Sequence, residues 1–273
     1  MKYQLSNLLI AAAASLGLAA CGDIAEDERF VEVNEVTPVR NVLVEEYTGQ
    51  KCVNCPDAQA LLHEQEAKYN TNGETHIITV CIHHPNYGMD VDAGGLVIPE
   101  CSVYANRSGA DSAPTATFDR KTSAQIKALW MGSLLGALRR PAYVSFSDLN
   151  AHISNGTIKV KGSVVASENV DDAKLQLWLV EDKVTKAANG MPLLQFMGDG
   201  SIDVNYVHNN VLRAAINGTY GEDFPLEIRK DRTFEANYPL PDFVQDATNC
   251  RIVAFVYTDG EGVYNTVTFP LAQ

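Results

Sequence analysis

Basic residues are scarce. Lys and Arg total 21 against 34 Asp and Glu, a formal charge of −13, so no broad cationic face exists to neutralise phosphates, and a nucleic-acid partner is excluded. Long apolar runs are also missing: beyond residues 1–20, nothing approaches the ~20 residues that a membrane-spanning helix needs. There is no phosphate-cradling Gly loop, no Gly-x-Ser-x-Gly elbow and no zinc-protease helix. Repeats and low-complexity blocks are absent too. What remains is ordinary: 46% hydrophobic, 20% charged, 19 Gly and 11 Pro in 273 residues. That excludes disordered and collagenous chains and fits two domains better than one.

Residues 1–20 carry one positive charge at Lys2, an apolar stretch and small residues before Cys21, the pattern of a secretory signal. Leu18-Ala19-Ala20-Cys21 resembles the bacterial lipobox, which implies acylation of Cys21 and membrane anchoring through lipid. Acyl chains contribute ~0.8 kcal/mol per buried CH₂. Residues 21–37 are acidic and read as a solvated tether.

From there the pattern turns globular. Val42-Leu43-Val44 reads as a buried strand, 56–69 as a helix stopped by Asn70-Thr71-Asn72-Gly73, and 76–82 as a second strand, together a βαβ unit with a parallel pair. Residues 85–109 are irregular with a short helix at 96–105. A strand at 115–118 and an amphipathic helix over 123–138 follow. After Pro141 the period changes to strands at 143–146, 157–165, 174–180, 207–216, 233–238, 251–257 and 263–269, with hairpin turns at Asn155-Gly156 and 259–262. This predicts an antiparallel β-sandwich over 141–273.

Chemistry concentrates at Cys52-Val53-Asn54-Cys55-Pro56, between a strand and a helix. A thiol at a helix N-terminus is favoured as thiolate, and Lys51 adds a positive neighbour. Cys55, three positions on, is spaced to resolve a mixed disulfide formed by Cys52. A static disulfide, or half of a zinc site, is the alternative reading of the same pair. No second Cys-x-x-Cys or His-x₃₋₅-His accompanies it, and no metal or other cofactor is expected.

Here residues 38–140 resemble the thioredoxin-like superfamily. The resemblance implies an α/β domain, Glu46 as a buried proton acceptor, and Ala113-Pro114-Thr115 as a cis-proline loop that, with Lys51, borders a substrate groove. Lys51 and Val53-Asn54 depart from that family's usual Trp and Gly-Pro. Glu45 competes with Glu46 for the inward position. Together with the lipobox and the β-rich C-terminal part, assigned an immunoglobulin-like sandwich, the chain resembles the Omp28-related outer-membrane lipoproteins of Bacteroidetes.

The expectations are therefore a lipid-anchored thiol–disulfide oxidoreductase of a Gram-negative outer membrane. It would act on exported proteins or peptides and be recycled by a redox partner. The alternative is a non-enzymatic surface or periplasmic binding protein of adhesin type. Cys81, Cys101 and Cys250 form an odd set, with Cys81–Cys101 as the expected structural disulfide and His83-His84 as a strand end. Asp199 to Asn205 lacks the Gly and Glu of a calcium loop and reads as a polar turn.

Overall fold

The computed structural model describes residues 40–273; the signal sequence, Cys21 and the acidic tether lie outside the described residues. Strand β1 (Val42–Thr48) and strand β2 (Ile77–His83) pair in parallel from Val42↔Ile77 to Thr48↔His83. Helix α1 (Cys55–Tyr69) makes the crossover, with Pro56 in its first turn, where a missing N–H costs nothing. Asn70 ends it. Its side-chain oxygen accepts from the backbone N–H of His76 and Ile77 at 2.8 and 2.9 Å, while its Nδ2 donates to the Ile77 carbonyl at 2.8 Å. That clamp fixes the entry into β2.

All seven residues of β1 and all seven of β2 are buried, so both faces of the sheet are covered. One face packs Val42, Val44 and Ile77 against Ala58 and Leu62 of α1. The other packs Leu43, Tyr47, Ile78, Val80 and Ile82 against Cys101, Tyr104 and Ala105 of helix α2 (Pro99–Ser108). Strand β3 (Thr115–Phe118) runs antiparallel on the free side of β1, and the two-residue strand β4 (Gln125–Ile126) follows it. Helix α3 is shorter than the sequence predicts, covering Trp130–Leu138 only. Trp130, Leu134 and Leu138 are buried at helical spacing, whereas Ile126 and Leu129, counted as part of the same apolar stripe, are 61% and 55% exposed.

The β-rich half does form strands close to the expected positions. Those that matter are β5 (Val144–Ser154), β6 (Thr157–Ala166), β7 (Lys174–Glu181), β8 (Gln195–Phe196), β9 (Ile202–Asp203), β10 (Val211–Ala215), β11 (Glu222–Asp223), β12 (Arg232–Pro239), β13 (Cys250–Thr258) and β14 (Gly262–Pro270). Asn155 and Gly156 both take positive φ at the β5–β6 hairpin, as its tight turn demands.

Their assembly overturns the expected architecture. There is no thioredoxin-like α/β domain followed by a separate immunoglobulin-like sandwich. Instead β10 pairs in parallel with β2 through Val211↔Cys81, and one mixed sheet runs β14-β13-β7-β10-β2-β1-β3-β4, with β11 added beside β7. The boundary expected at Pro141 falls inside one compact unit that runs on to Gln273.

The physical reason lies in β7 and β13. Seven of the eight residues of β7 and eight of the nine of β13 are buried, too many for a sandwich strand with one wet face. Leu175, Leu177 and Leu179 of β7 pack under the small sheet β12-β6-β5, while Trp178 and Val180 on the other side join the α2 layer.

The sheet's far edge is tied back to its beginning. Asn41 donates from its N–H to Asn265 Oδ1 (3.1 Å) and from Nδ2 to the Thr266 carbonyl (2.8 Å), and Arg40 Nη2 donates to the Val263 carbonyl (3.0 Å). Asp119, held at φ +54°, joins the seam: Val263 N–H donates to its carbonyl at 2.7 Å, and its buried carboxylate lies 3.3 Å from the Arg40 guanidinium.

Candidate redox site at Cys52 and Cys55

Cys52 and Cys55 are joined by a disulfide. Helix α1 begins at Cys55, so Cys52 lies in the turn ahead of it, with its N–H donating to the Gly49 carbonyl at 3.0 Å. Gly49 is required there: a Cβ would lie 2.5 Å from the Tyr87 carbonyl oxygen, which accepts the Lys51 N–H at 2.8 Å. Lys51, Val53 and Asn54 are exposed, yet Cys52 and Cys55 are only 3% and 1% accessible.

The cover comes from far along the chain. Gln195 of β8 donates from Nε2 to the Cys52 carbonyl at 3.0 Å, and the Phe196 N–H donates to the Gln50 carbonyl at 2.9 Å. The β8–β9 hairpin thus straps the cysteine turn, with the Asp199–Asn205 stretch serving as its polar tip: Asp199 Oδ1 accepts the Ser201 N–H and Asp203 Oδ1 the Asn205 N–H. Further on, Tyr206 OH donates to Gln59 Oε1 at 2.7 Å, and Gln59 Nε2 donates to Thr48 Oγ1 at 3.1 Å. No motif in residues 191–208 announces this role; the exposed apolar side chains Met191, Leu194, Phe196, Ile202, Val204 and Val207 distinguish the segment.

Glu46 is the acid on the α1 face of β1, 1% accessible. Burial raises its pKa to about 8, opposed by the Cys81 thiol, which donates to Oε2 at 3.3 Å. Oε1 has no hydrogen-bond partner. Glu46 lines a crevice of about 230 Å³ that Pro56, Gln59, Glu66, Cys81 and Tyr206 also border, so the acid and the start of α1 share one space. Glu45 is equally buried but faces the other side, bound to Arg120. The sequence poses the two as alternatives; a sheet covered on both faces buries both.

The Ala113–Pro114 peptide bond is cis, and both residues are partly exposed. Pro114 precedes Thr115, which is in register with Tyr47, while the Cys52 turn leaves the same end of β1.

The expected Cys81–Cys101 disulfide is absent: Cys81, Cys101 and Cys250 are all free and buried. Cys81 lies with Glu46 on the α1 face of β2, whereas Cys101 belongs to α2 on the opposite face, and the sheet separates them. Burial pushes Cys101 and Cys250 up to about 12 and Cys81 well above the ordinary thiol value, with Glu46 adding to the effect at Cys81. Burial thus favours the protonated thiol over the nucleophilic thiolate at all three. β2 ends at His83, with His84 directly after it, and both are buried; His84 Nε2 is 2.9 Å from the Ala110 carbonyl, and His83 faces His208 with ring centroids 5.8 Å apart.

Among solved structures, HBP35 of Porphyromonas gingivalis superposes with a TM-score of 0.64 at 11% identity, over 87% of this chain and 77% of that one. At that identity the likeness is one of fold alone. A domain of the outer membrane lipoprotein Omp28 from Porphyromonas gingivalis is 25% identical over 48% of this chain and 89% of its own, with a TM-score of 0.32. No curated protein sequence matches. The family model of the outer membrane protein Omp28 matches residues 102–270, which takes in most of α2, every strand from β3 to β14, and the strap over the cysteines. The chain accordingly belongs to the Omp28 family and is a protein of the outer membrane.

Proposed function

We propose that this chain is a lipid-anchored thiol–disulfide exchange protein of the outer membrane, held through Cys21 and working through Cys52 and Cys55 under a movable strap. The observation that carries the reading is a disulfide closing only a four-residue loop at the start of α1, where Pro56 shares a crevice with the buried Glu46 carboxyl, one oxygen of which has no hydrogen-bond partner. As a staple, so short a loop removes little unfolded-state freedom, about 2 kcal/mol against ~3 for a loop of fifteen residues. A buried acid with one unpaired oxygen costs stability and calls for another reason to be kept.

In the reduced protein, the Cys52 thiolate attacks a substrate disulfide. The substrate S–S bond breaks, a mixed disulfide with Cys52 forms, and one substrate thiolate leaves. Glu46 accepts the Cys55 proton, the Cys55 thiolate attacks the Cys52 sulfur, and the second substrate thiolate is released as the Cys52–Cys55 bond forms. Two electrons pass to the substrate, and a thiol-donating partner restores the pair. The substrate class is exported protein or peptide, approaching beside Ala113 and Pro114.

The test is insulin reduction in the presence of a thiol donor, comparing the full chain with Cys52→Ser. Loss of the catalysed rate in the variant is the expected result; equal rates overturn the proposal. The near-complete burial of both sulfurs favours a second reading, a non-enzymatic binding protein with a static disulfide. A pair that resists mild reductant in thiol titration would select it.

A further inference from the structure

The hairpin over the cysteines has a second side. Gln195 of β8 points inward to the Cys52 carbonyl, so its neighbour Phe196 points outward, where it pairs with Ile202 of β9. Both are open to solvent, 37% and 51% exposed, as are Leu194 and Val204 next along the chain, 37% and 50%. Single apolar side chains scattered over a surface are ordinary, whereas a cluster marks an interaction site. Of the thirteen large apolar side chains exposed among the described residues, six fall within 191–207. A cross-strand Phe–Ile pair does support a hairpin, but a Thr–Thr pair serves that purpose without presenting apolar surface to water.

This face adjoins the redox pair. A Cβ at Gly198 would lie 3.5 Å from the Val53 carbonyl oxygen, and Val53, between the two cysteines, is itself 42% exposed. Size and charge select what covers it. Two short strands ~4.8 Å apart offer on the order of 100 Å², against the ~800 Å² per partner of a stable dimer, so a second copy of this chain gains too little there. A lipid surface fits no better. The hairpin tip, Gly198-Asp199-Gly200-Ser201, is polar and exposed, and no Lys or Arg occurs between Lys186 and Arg213, whereas segments that bed into anionic headgroups carry basic residues. The acids of the hairpin, Asp199 and Asp203, favour Lys or Arg on the guest.

We propose that the outer face of this hairpin docks a short, extended, apolar polypeptide segment flanked by Lys or Arg, presented by the exported protein whose disulfide Cys52 and Cys55 exchange. The role of the guest rests on the exchange reading above; the docking itself needs no thiol chemistry. A segment held here raises the local concentration of its own disulfide beside Cys52.

The test uses the full chain anchored in phosphatidylcholine nanodiscs, with empty nanodiscs as the blank, and follows the anisotropy of fluorescein-labelled, cysteine-free peptides. One has an alternating Val/Phe/Thr core with Lys ends, one the same core with Glu ends, and one a Ser/Thr core with Lys ends. Expected are saturable binding of the first, at least about tenfold weaker binding of the other two, and a loss of about tenfold in Phe196→Ser/Ile202→Ser. That variant keeps Gln195, and in insulin reduction it should show a raised KM with kcat unchanged. Reduction of its Cys52–Cys55 bond by dithiothreitol at the wild-type rate confirms that the strap is in place; otherwise the peptide series on the wild type decides alone. Equal binding of the three peptides overturns the proposal, as does an unaffected double variant with its strap in place. So does a dimer that the double variant abolishes, or quenching of Phe196→Trp fluorescence by brominated phosphatidylcholine, which would give the face to a second copy or to the membrane. Peptide docking with no insulin reduction supports the docking face and defeats only the exchange reading; insulin reduction with no peptide docking defeats only this inference.

Discussion

At the scale of single residues, Glu46 has the clearest consequence. Its pKa of about 8 in the folded protein exceeds the ordinary 4.5, so across that interval the unfolded chain releases a proton that the native state keeps. Stability should therefore decline as pH rises from about 4.5 to about 8, by up to ~1.4 kcal/mol per unit. Glu46→Gln keeps the shape and an acceptor for the Cys81 thiol while removing the titration. Urea midpoints measured across that pH range should fall in the wild type and fall less steeply in the variant, where Asp119, Glu66 and Glu181, also raised by burial, remain. Parallel curves would mean that the carboxyl is not the source.

The neighbouring position illustrates what sequence can and cannot supply at this scale. The alternation of β1 makes Glu45 and Glu46 point in opposite directions, and a reader assuming one wet face must choose between them. Nothing in Glu45-Glu46 announces that Arg120, seventy-five positions away, neutralises the first. Cys81 and Cys101 are misjudged for a related reason. Oddness of count can be read from a sequence, but which side of a sheet each sulfur occupies depends on layers not yet assembled.

Among the elements, the strap over the cysteines makes the sharpest prediction. Gln195→Ala removes the side-chain donor that reaches the Cys52 and Gly49 carbonyls, which keep their backbone donors from Cys55 and Cys52, a local loss of ~0.5–1.5 kcal/mol. The Cys52–Cys55 bond should then be reduced by dithiothreitol several-fold faster, while the global unfolding midpoint moves little. An unchanged reduction rate would show that access is not governed by this hairpin. Here the sequence is only half legible. Local periodicity and turn chemistry locate β1, α1, β2 and the long strands well, because each is specified by its own side chains. The strap has two-residue strands and no periodic signal, and it exists only by virtue of what it covers. Helix α3 fails at its start for the opposite reason: Ile126 and Leu129 fit the helical stripe, yet β4 claims the first and solvent the second.

For the whole molecule, the decisive fact is the join between β10 and β2. Seven regular strands after Pro141 support a sandwich as long as each is assumed to pair with its neighbours in sequence, and pairing across the chain is what composition and period leave undetermined. The join makes a cooperative prediction. Trp130 lies in α3 and Trp178 in β7, on either side of the expected boundary. Urea transitions followed by far-UV circular dichroism and by variants retaining one tryptophan each should coincide in a single step. Two resolved transitions would restore independent domains.

The distance along the chain between the cysteine turn and its cover sets an order of events. An exported polypeptide emerges amino end first, so Cys52 and Cys55 reach an oxidising compartment long before Gln195 does. Until then Gln195 cannot cover the cysteine turn, so the bond between the two sulfurs can form before the cover is in place. On the exchange chemistry proposed above, a pair delivered as the disulfide has to take two electrons from a thiol donor before it can reduce any substrate.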